Sequence, residues 1–144
     1  MIEIFEVTES NESTLKLVNR LLPQLSKSAQ PLTSGKLEDI VQSTHVHLFI
    51  AQEGAEVLGM LSLVVFPIPT GIRAWVEDVV VDELARGKGV GRALSEYAVQ
   101  AANEKGALTV DLTSRPSRVA ANQLYQKVGF QLRETNVYRF QHEL

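Results

Sequence analysis

Cysteine is absent from all 144 residues, which excludes disulfides, thiolate metal sites and a cysteine nucleophile together. An excess of positive charge is missing too. The formal net charge is −3 and the pI is about 5.6, whereas a general nucleic-acid binder needs a basic face to displace counterions. No apolar run is long enough to span a bilayer. The opening Met1-Ile2-Glu3-Ile4-Phe5-Glu6 lacks the basic-then-apolar layout of a signal peptide. Repeats, low-complexity tracts and linkers are likewise missing. What remains is 44% hydrophobic and 22% charged, enough for a real core. The expectation is a single domain over residues 1–144, soluble and cytoplasmic, with no nucleic-acid or membrane partner.

Periodicity supplies the elements. Ile2 to Val7 reads as a strand. Asn11 is a helix cap for Leu15, Val18, Leu21, Leu22 and Leu25, which recur at helical spacing. Leu37, Ile40 and Val41 mark a second helix from about Ser34. Val46 to Gln52 and Val57 to Phe66, joined by Glu53-Gly54-Ala55-Glu56, form a hairpin signal. Arg73 to Asp82 is a further strand. Val90, Ala93, Leu94, Tyr97, Ala98 and Ala101 make an apolar stripe on one helix closed by Gly106. Leu108 to Thr113 is a strand, and Ala121, Leu124, Tyr125 and Val128 mark a helix ending at Gly129. Phe130 to Phe140 is read as a terminal hairpin. The order is β-α-α-β-β-β-α-β-α-β-β. Strand–helix–strand from Arg73 to Thr113 implies a parallel crossover, so the fold class is a mixed α/β sheet flanked by helices.

The chemistry concentrates where Val79-Val80-Val81 leads through Asp82-Glu83-Leu84-Ala85 into Arg86-Gly87-Lys88-Gly89-Val90-Gly91-Arg92. The first turn of a helix has N–H groups without internal partners and a partial positive charge. Glycines let an anion approach that backbone, and Arg86, Lys88 and Arg92 add charge. A phosphate or pyrophosphate fits this demand. A Walker loop would need Lys-Ser or Lys-Thr after its last glycine, where Arg92-Ala93 stand. A dinucleotide fingerprint would start directly off the strand and place its third glycine at residue 92. With Asp111 as a ribose-binding acid it remains a runner-up. The third class is coenzyme A on an Arg-Gly-x-Gly-x-Gly turn.

The run Val79 to Leu94, together with Asn122-Gln123-Leu124-Tyr125-Gln126-Lys127-Val128-Gly129-Phe130, resembles the GCN5-related N-acetyltransferase (GNAT) superfamily. The resemblance covers about Trp75 to Phe130. It implies a GNAT-like fold and acetyl-CoA as co-substrate. It also implies a bulge in the strand before the turn, with Val79, Val80 and Val81 meeting the pantetheine arm through backbone atoms. An N–H re-aimed by a bulge would stabilise the oxyanion of a thioester under attack. Tyr125 is implied as general acid toward the departing thiolate, since a phenol of pKa about 10 can protonate a thiolate whose acid has pKa about 8.5. Asn122 is implied to hydrogen-bond the cofactor arm.

Glu77 is the candidate base for the acceptor ammonium, with Asp78, a water chain or plain cation binding as alternatives. Trp75 lines the pocket or joins the core. The His45-x-His47 pair is read as an edge-strand pair without a third ligand, so no metal is expected. Ser114 and Ser117 are read as helix caps. The expected activity is acetyl transfer from acetyl-CoA to a primary amine, on a small molecule or a peptide, with a homodimer allowed. The acceptor should be selected by residues 20–45 and the 66–73 loop. The alternatives are a non-catalytic CoA-binding module and a dinucleotide oxidoreductase.

Overall fold

Asn11 accepts a hydrogen bond from the Thr14 N–H at 2.8 Å, which is how the first helix begins after the short strand β1 (Glu3–Glu6). The computed structural model describes residues 1–143. Helix α1 (Glu12–Leu25) runs through Pro23, and α2 (Ser34–Gln42) starts from a Thr33 cap. Strands β2 (Val46–Glu53), β3 (Glu56–Ile68) and β4 (Gly71–Val81) follow. A 3-10 turn, Glu83–Ala85, leads to α3 (Val90–Glu104). Strand β5 (Thr109–Asp111) and helix α4 (Val119–Val128) complete the regular elements among the described residues.

The sheet order is β1-β2-β3-β4-β5. All neighbours are antiparallel except β4 and β5, which lie parallel across the α3 crossover. The mixed sheet flanked by helices is the architecture the periodicity implies. Strand alternation divides its side chains into two cores. Leu48 and Ile50 face α1 and α2, together with Val18, Leu21 and Leu37. Phe49, Ala51, Leu61 and Leu63 face α3, against Leu94, Ala98 and Ala102. Each fully buried leucine, such as Leu21, Leu37 or Leu94, contributes about 1.5–3 kcal/mol through area removed from water.

One irregularity redirects β4. Met60 pairs with Val80 and Ser62 with Glu77, so Asp78 and Val79 together oppose Leu61. That is a β-bulge, and the extra residue flips every later side chain to the other face. Val76 accordingly packs on the α3 side, while Val80 packs on the α1–α2 side. Asp78 sits at φ 50°, a left-handed conformation that costs most L-residues roughly 1–2 kcal/mol. Gly59 lies beside the bulge, where an added Cβ would come within 2.7 Å of the Val80 carbonyl oxygen. Only glycine fits there.

Several boundaries differ from the expectation. β3 continues through Pro67 to Ile68 and β4 begins at Gly71, so residues 66–73 are a tight hairpin end rather than a loop. β5 is confined to Thr109–Asp111. The largest difference is Phe130 to Phe140, which forms no strand among the described residues. Gly129 at φ 121° turns the chain out of α4, and the Phe130 N–H bonds the Tyr125 carbonyl. Beyond that point no backbone hydrogen bond joins residues 131–143 to the body among the described residues. A lone two-stranded ribbon is marginal in water, and residues 131–143 pair with no strand of the sheet among the described residues.

Candidate functional site

The site is built on the divergence of β4 from β5. The two strands pair only at Arg73–Thr109, Ala74–Val110 and Trp75–Asp111. From Val76 to Val81, β4 has β3 on one side and no strand partner on the other among the described residues. This edge of β4, which carries the bulge at Asp78–Val79, is therefore left without a strand. Val79 and Val81 are half-buried and Val80 is buried, so these side chains are packing and their backbone alone is free to meet a ligand. Glu77 and Asp78 are exposed.

Beyond this edge the chain passes through the 3-10 turn into the glycine turn. Gly87 and Gly89 have φ of 83° and 82°, values that favour glycine. A Cβ at either would meet nothing within 4 Å, so open space lies above both. α3 begins at Gly89 without a side-chain cap, and its first internal bond runs from the Ala93 N–H to the Gly89 carbonyl. The N–H groups of Gly87, Gly89, Val90, Gly91 and Arg92 have no protein acceptor among the described residues. Five donors around an open, left-handed turn form an anion nest. Arg86 and Lys88 are exposed and form no ion pair among the described residues. Arg92 differs, because its guanidinium donates to Glu96 at 2.7 Å. Val90 is buried and offers only its N–H. Gly91 lets α4 approach, with Leu124 3.4 Å from the place of its missing Cβ.

α4 supplies the acid candidate. Tyr125 is 8% exposed and packs edge-on against Phe130 at 5.9 Å between centroids. Burial raises its pKa above 10.0, with the Arg118 charge pulling the other way, so the phenol keeps its proton at neutral pH. Asn122 is partly committed. Its Nδ2 donates to the Arg115 and Arg118 carbonyls at 2.9 and 2.8 Å, which closes the turn entering α4 and leaves Oδ1 to accept. Ser114 and Ser117 do not cap α4, whose cap position is Arg118 without a side-chain bond. The Asn122 amide donates there to carbonyls that also accept from the Arg118 and Asn122 N–H groups. The Ser114 hydroxyl is buried without a partner. Trp75, Ser114, Asn122 and Tyr125 line one wall of a hollow of about 1310 Å³.

A network that sequence reading missed anchors the glycine turn. Arg20 of α1 forms an ion pair with Asp82 and donates to the Val57 carbonyl at 2.9 Å. Asp82 also accepts from the Leu84 N–H at 3.1 Å, and Gln24 accepts from the Glu83 N–H at 2.9 Å. Arg20 and Asp82 lie 62 residues apart, so no local pattern could have joined them. The Arg20 hydrogen bond, ahead of that from Leu84, holds the Asp82 carboxyl below its usual 3.8. A depressed carboxylate contributes stability above its unfolded pKa and loses it as pH falls through the folded value. Arg20→Met is therefore expected to melt below the native chain at pH 6–7, with the gap closing as the pH drops below 3.8. Thermal melts across that range check this; a gap that is constant with pH would contradict it.

The histidine pair is not on an edge strand, since His47 lies on β2, between β1 and β3, and His45 precedes that strand. His45 Nδ1 lies 3.0 Å from the Val65 carbonyl oxygen, and His47 Nδ1 lies 3.0 Å from the Glu6 carboxylate. Each ring is held separately.

With this geometry in place, the profile of the Acetyltransferase (GNAT) family matches residues 10–130. The chain belongs to the GNAT acetyltransferase family. A glucosamine 6-phosphate N-acetyltransferase of Trypanosoma brucei brucei is 32% identical over 137 residues, covering 90% of each chain. A crystal structure of a Trypanosoma brucei acetyltransferase is similar, with TM-score 0.80 and 26% identity over 98% of this chain and 100% of that one. An aminoglycoside acetyltransferase from an uncultured soil metagenomic sample, solved with sisomicin, shares the fold at TM-score 0.87 and 18% identity, covering 99% and 97%. This acetyltransferase family uses acetyl-CoA as acyl donor. The dinucleotide reading falls with that membership, and the 3-10 turn between β4 and α3 keeps the glycines from starting directly off the strand.

Proposed function

We propose that this acetyltransferase moves the acetyl group of acetyl-CoA to the primary amine of a small molecule by direct attack, with both substrates bound at once. The observation that carries this reading is the β4–β5 divergence, which leads from the bulge to the uncapped turn at Gly87–Gly91. In this reading the N–H groups of Gly87, Gly89, Val90 and Gly91 hold the CoA pyrophosphate, with Arg86 and Lys88 beside it. Arg92 adds charge from its Glu96-held position. The backbone of Val79, Val80 and Val81 pairs with the pantetheine arm, and Asn122 accepts from the arm through Oδ1.

The amine loses a proton to Glu77, directly or through water, and its nitrogen attacks the thioester carbonyl. The developing oxyanion meets a backbone N–H re-aimed by the bulge. The C–S bond then breaks, Tyr125 gives its proton to the leaving thiolate, and the second proton still on the new amide nitrogen leaves through water and restores the phenol. The chain has no cysteine, so an acyl-cysteine intermediate plays no part.

The glucosamine 6-phosphate activity of the relative makes that amino sugar the first acceptor to try. The 66–73 segment is a closed hairpin end, which leaves the α1–α2 region as the place for acceptor recognition. The test is a thiol-release assay with acetyl-CoA and glucosamine 6-phosphate, glucosamine, aminoglycosides and peptides, beside calorimetry with acetyl-CoA alone. Thiol release with a sugar amine is the expected result. Binding heat without release from any amine would leave a CoA-binding module, and no heat at all would remove the cofactor site.

A further inference from the structure

The entry to the glycine turn is saturated with partners, in contrast to the turn itself. The Glu83 N–H donates to the Gln24 side chain at 2.9 Å, and the Leu84 N–H to the Asp82 carboxylate at 3.1 Å. The Ala85 N–H donates to the Asp82 carbonyl at 2.8 Å. Asp82 is fastened in turn to two other elements. Its N–H donates to the Leu58 carbonyl of β3 at 2.8 Å, and its carboxylate pairs with Arg20 of α1. Donors without a protein acceptor begin only at Gly87 among the described residues.

Both side chains that reach this entry from outside it come from α1. Arg20 and Gln24 are four residues apart and share one helix face. Arg20 bridges two elements, because its second guanidinium nitrogen donates to the Val57 carbonyl of β3 at 2.9 Å. A planar fork fixes that geometry, whereas an ammonium group acts as a single point charge. On the other side of the turn Ala85 is 2% exposed and anchored in the core beneath α3. Arg20 and Lys88 line the same hollow of about 540 Å³, so the tie lies beside the turn. It uses none of the free N–H groups of residues 87–92.

We infer that Arg20 and Gln24 are positioning residues for the acyl donor, holding the entry of the glycine turn so that its free N–H groups converge before the cofactor arrives. The inference rests on the proposed binding of the CoA pyrophosphate at Gly87–Gly91. Several separate donors grip one anion well only when their backbone is already ordered, and ordering them at the moment of binding weakens the complex. α1 then contributes to cofactor affinity through the turn.

Calorimetric titration of acetyl-CoA into the native chain, Arg20→Met and Gln24→Leu is the test. Each variant is expected to bind about 3- to 30-fold more weakly, the range for one lost hydrogen bond. Arg20→Lys keeps the charge but loses the fork, so it should fall between the native chain and Arg20→Met. Adding Asp82→Asn to Arg20→Met should weaken binding no further, since the two partners form one tie. In the unliganded protein the Glu83 and Leu84 amides should exchange faster in both single variants while the core amides of α3 stay slow. With any accepted amine, KM for acetyl-CoA should rise and kcat should stay within about twofold. Leu48→Val is the control for plain loss of stability. It thins the core beneath α1, lowers the melting temperature and should leave affinity native. Native affinity in Arg20→Met and Gln24→Leu, or an equal loss in Leu48→Val, overturns the inference and leaves the cofactor site in place. Absence of binding heat with the native chain removes the cofactor site, and the inference falls with it.

Discussion

Tyr125→Phe is expected to lower kcat by about 10²–10³-fold while KM for acetyl-CoA stays within about twofold. The substitution deletes one hydroxyl and keeps the ring that packs on Phe130, so the melting temperature should move little. Loss of a proton donor that acts only as the C–S bond breaks appears in kcat, whereas loss of a binding contact appears in KM. The pH profile adds a second readout. Burial holds the phenol above 10.0, so the native enzyme should keep its acid form up to that pH and lose turnover only beyond it. A variant that loses kcat and cofactor affinity in equal measure would show Tyr125 to be a packing residue.

Gly89→Val should weaken acetyl-CoA binding by about 10- to 100-fold, the loss expected when one or two charge-assisted hydrogen bonds are removed. The residue lies at φ 82° with open space above it. A branched side chain both resists that conformation and fills the space where the anion sits. The left-handed backbone adds roughly 1–2 kcal/mol of destabilisation, which thermal melts should register as a modest shift. Gly35→Ala serves as a control, because an added Cβ in α2 meets nothing and an exposed helical glycine costs about 0.5–1 kcal/mol relative to alanine. It should stabilise slightly and leave cofactor binding alone. Unchanged calorimetric affinity in Gly89→Val would remove the glycine turn from the cofactor site.

Much of the site is legible without coordinates, because its parts are local. The Asn11 cap, the apolar stripe from Val90 to Ala101, the Gly129 stop and the uncapped glycine turn each depend on residues within a few positions of one another. Tyr125 and Asn122 come from the same short-range spacing on α4, joined to the family motif. Asn122 shows where such reading thins out. Its spacing puts it on the Tyr125 face, yet whether its amide serves the cofactor or the Arg115 and Arg118 carbonyls depends on a turn whose shape the spacing does not encode. The serines before α4 look like caps for the same reason, and the turn does not use them.

The chain's own order of residues determined most of the helices and strands, the Asn11 cap and the glycine turn, since helix ends and periodic faces follow from neighbours along the chain. Tertiary structure alone decided the bulge that sends Val76 and Val80 to opposite faces, the Arg20–Asp82 tie across 62 residues, and the departure of residues 131–143 from their own sheet. Those three features turn on which distant backbone comes alongside. Pairing energy of that kind belongs to two segments at once, and neither segment carries its partner's position in its own pattern.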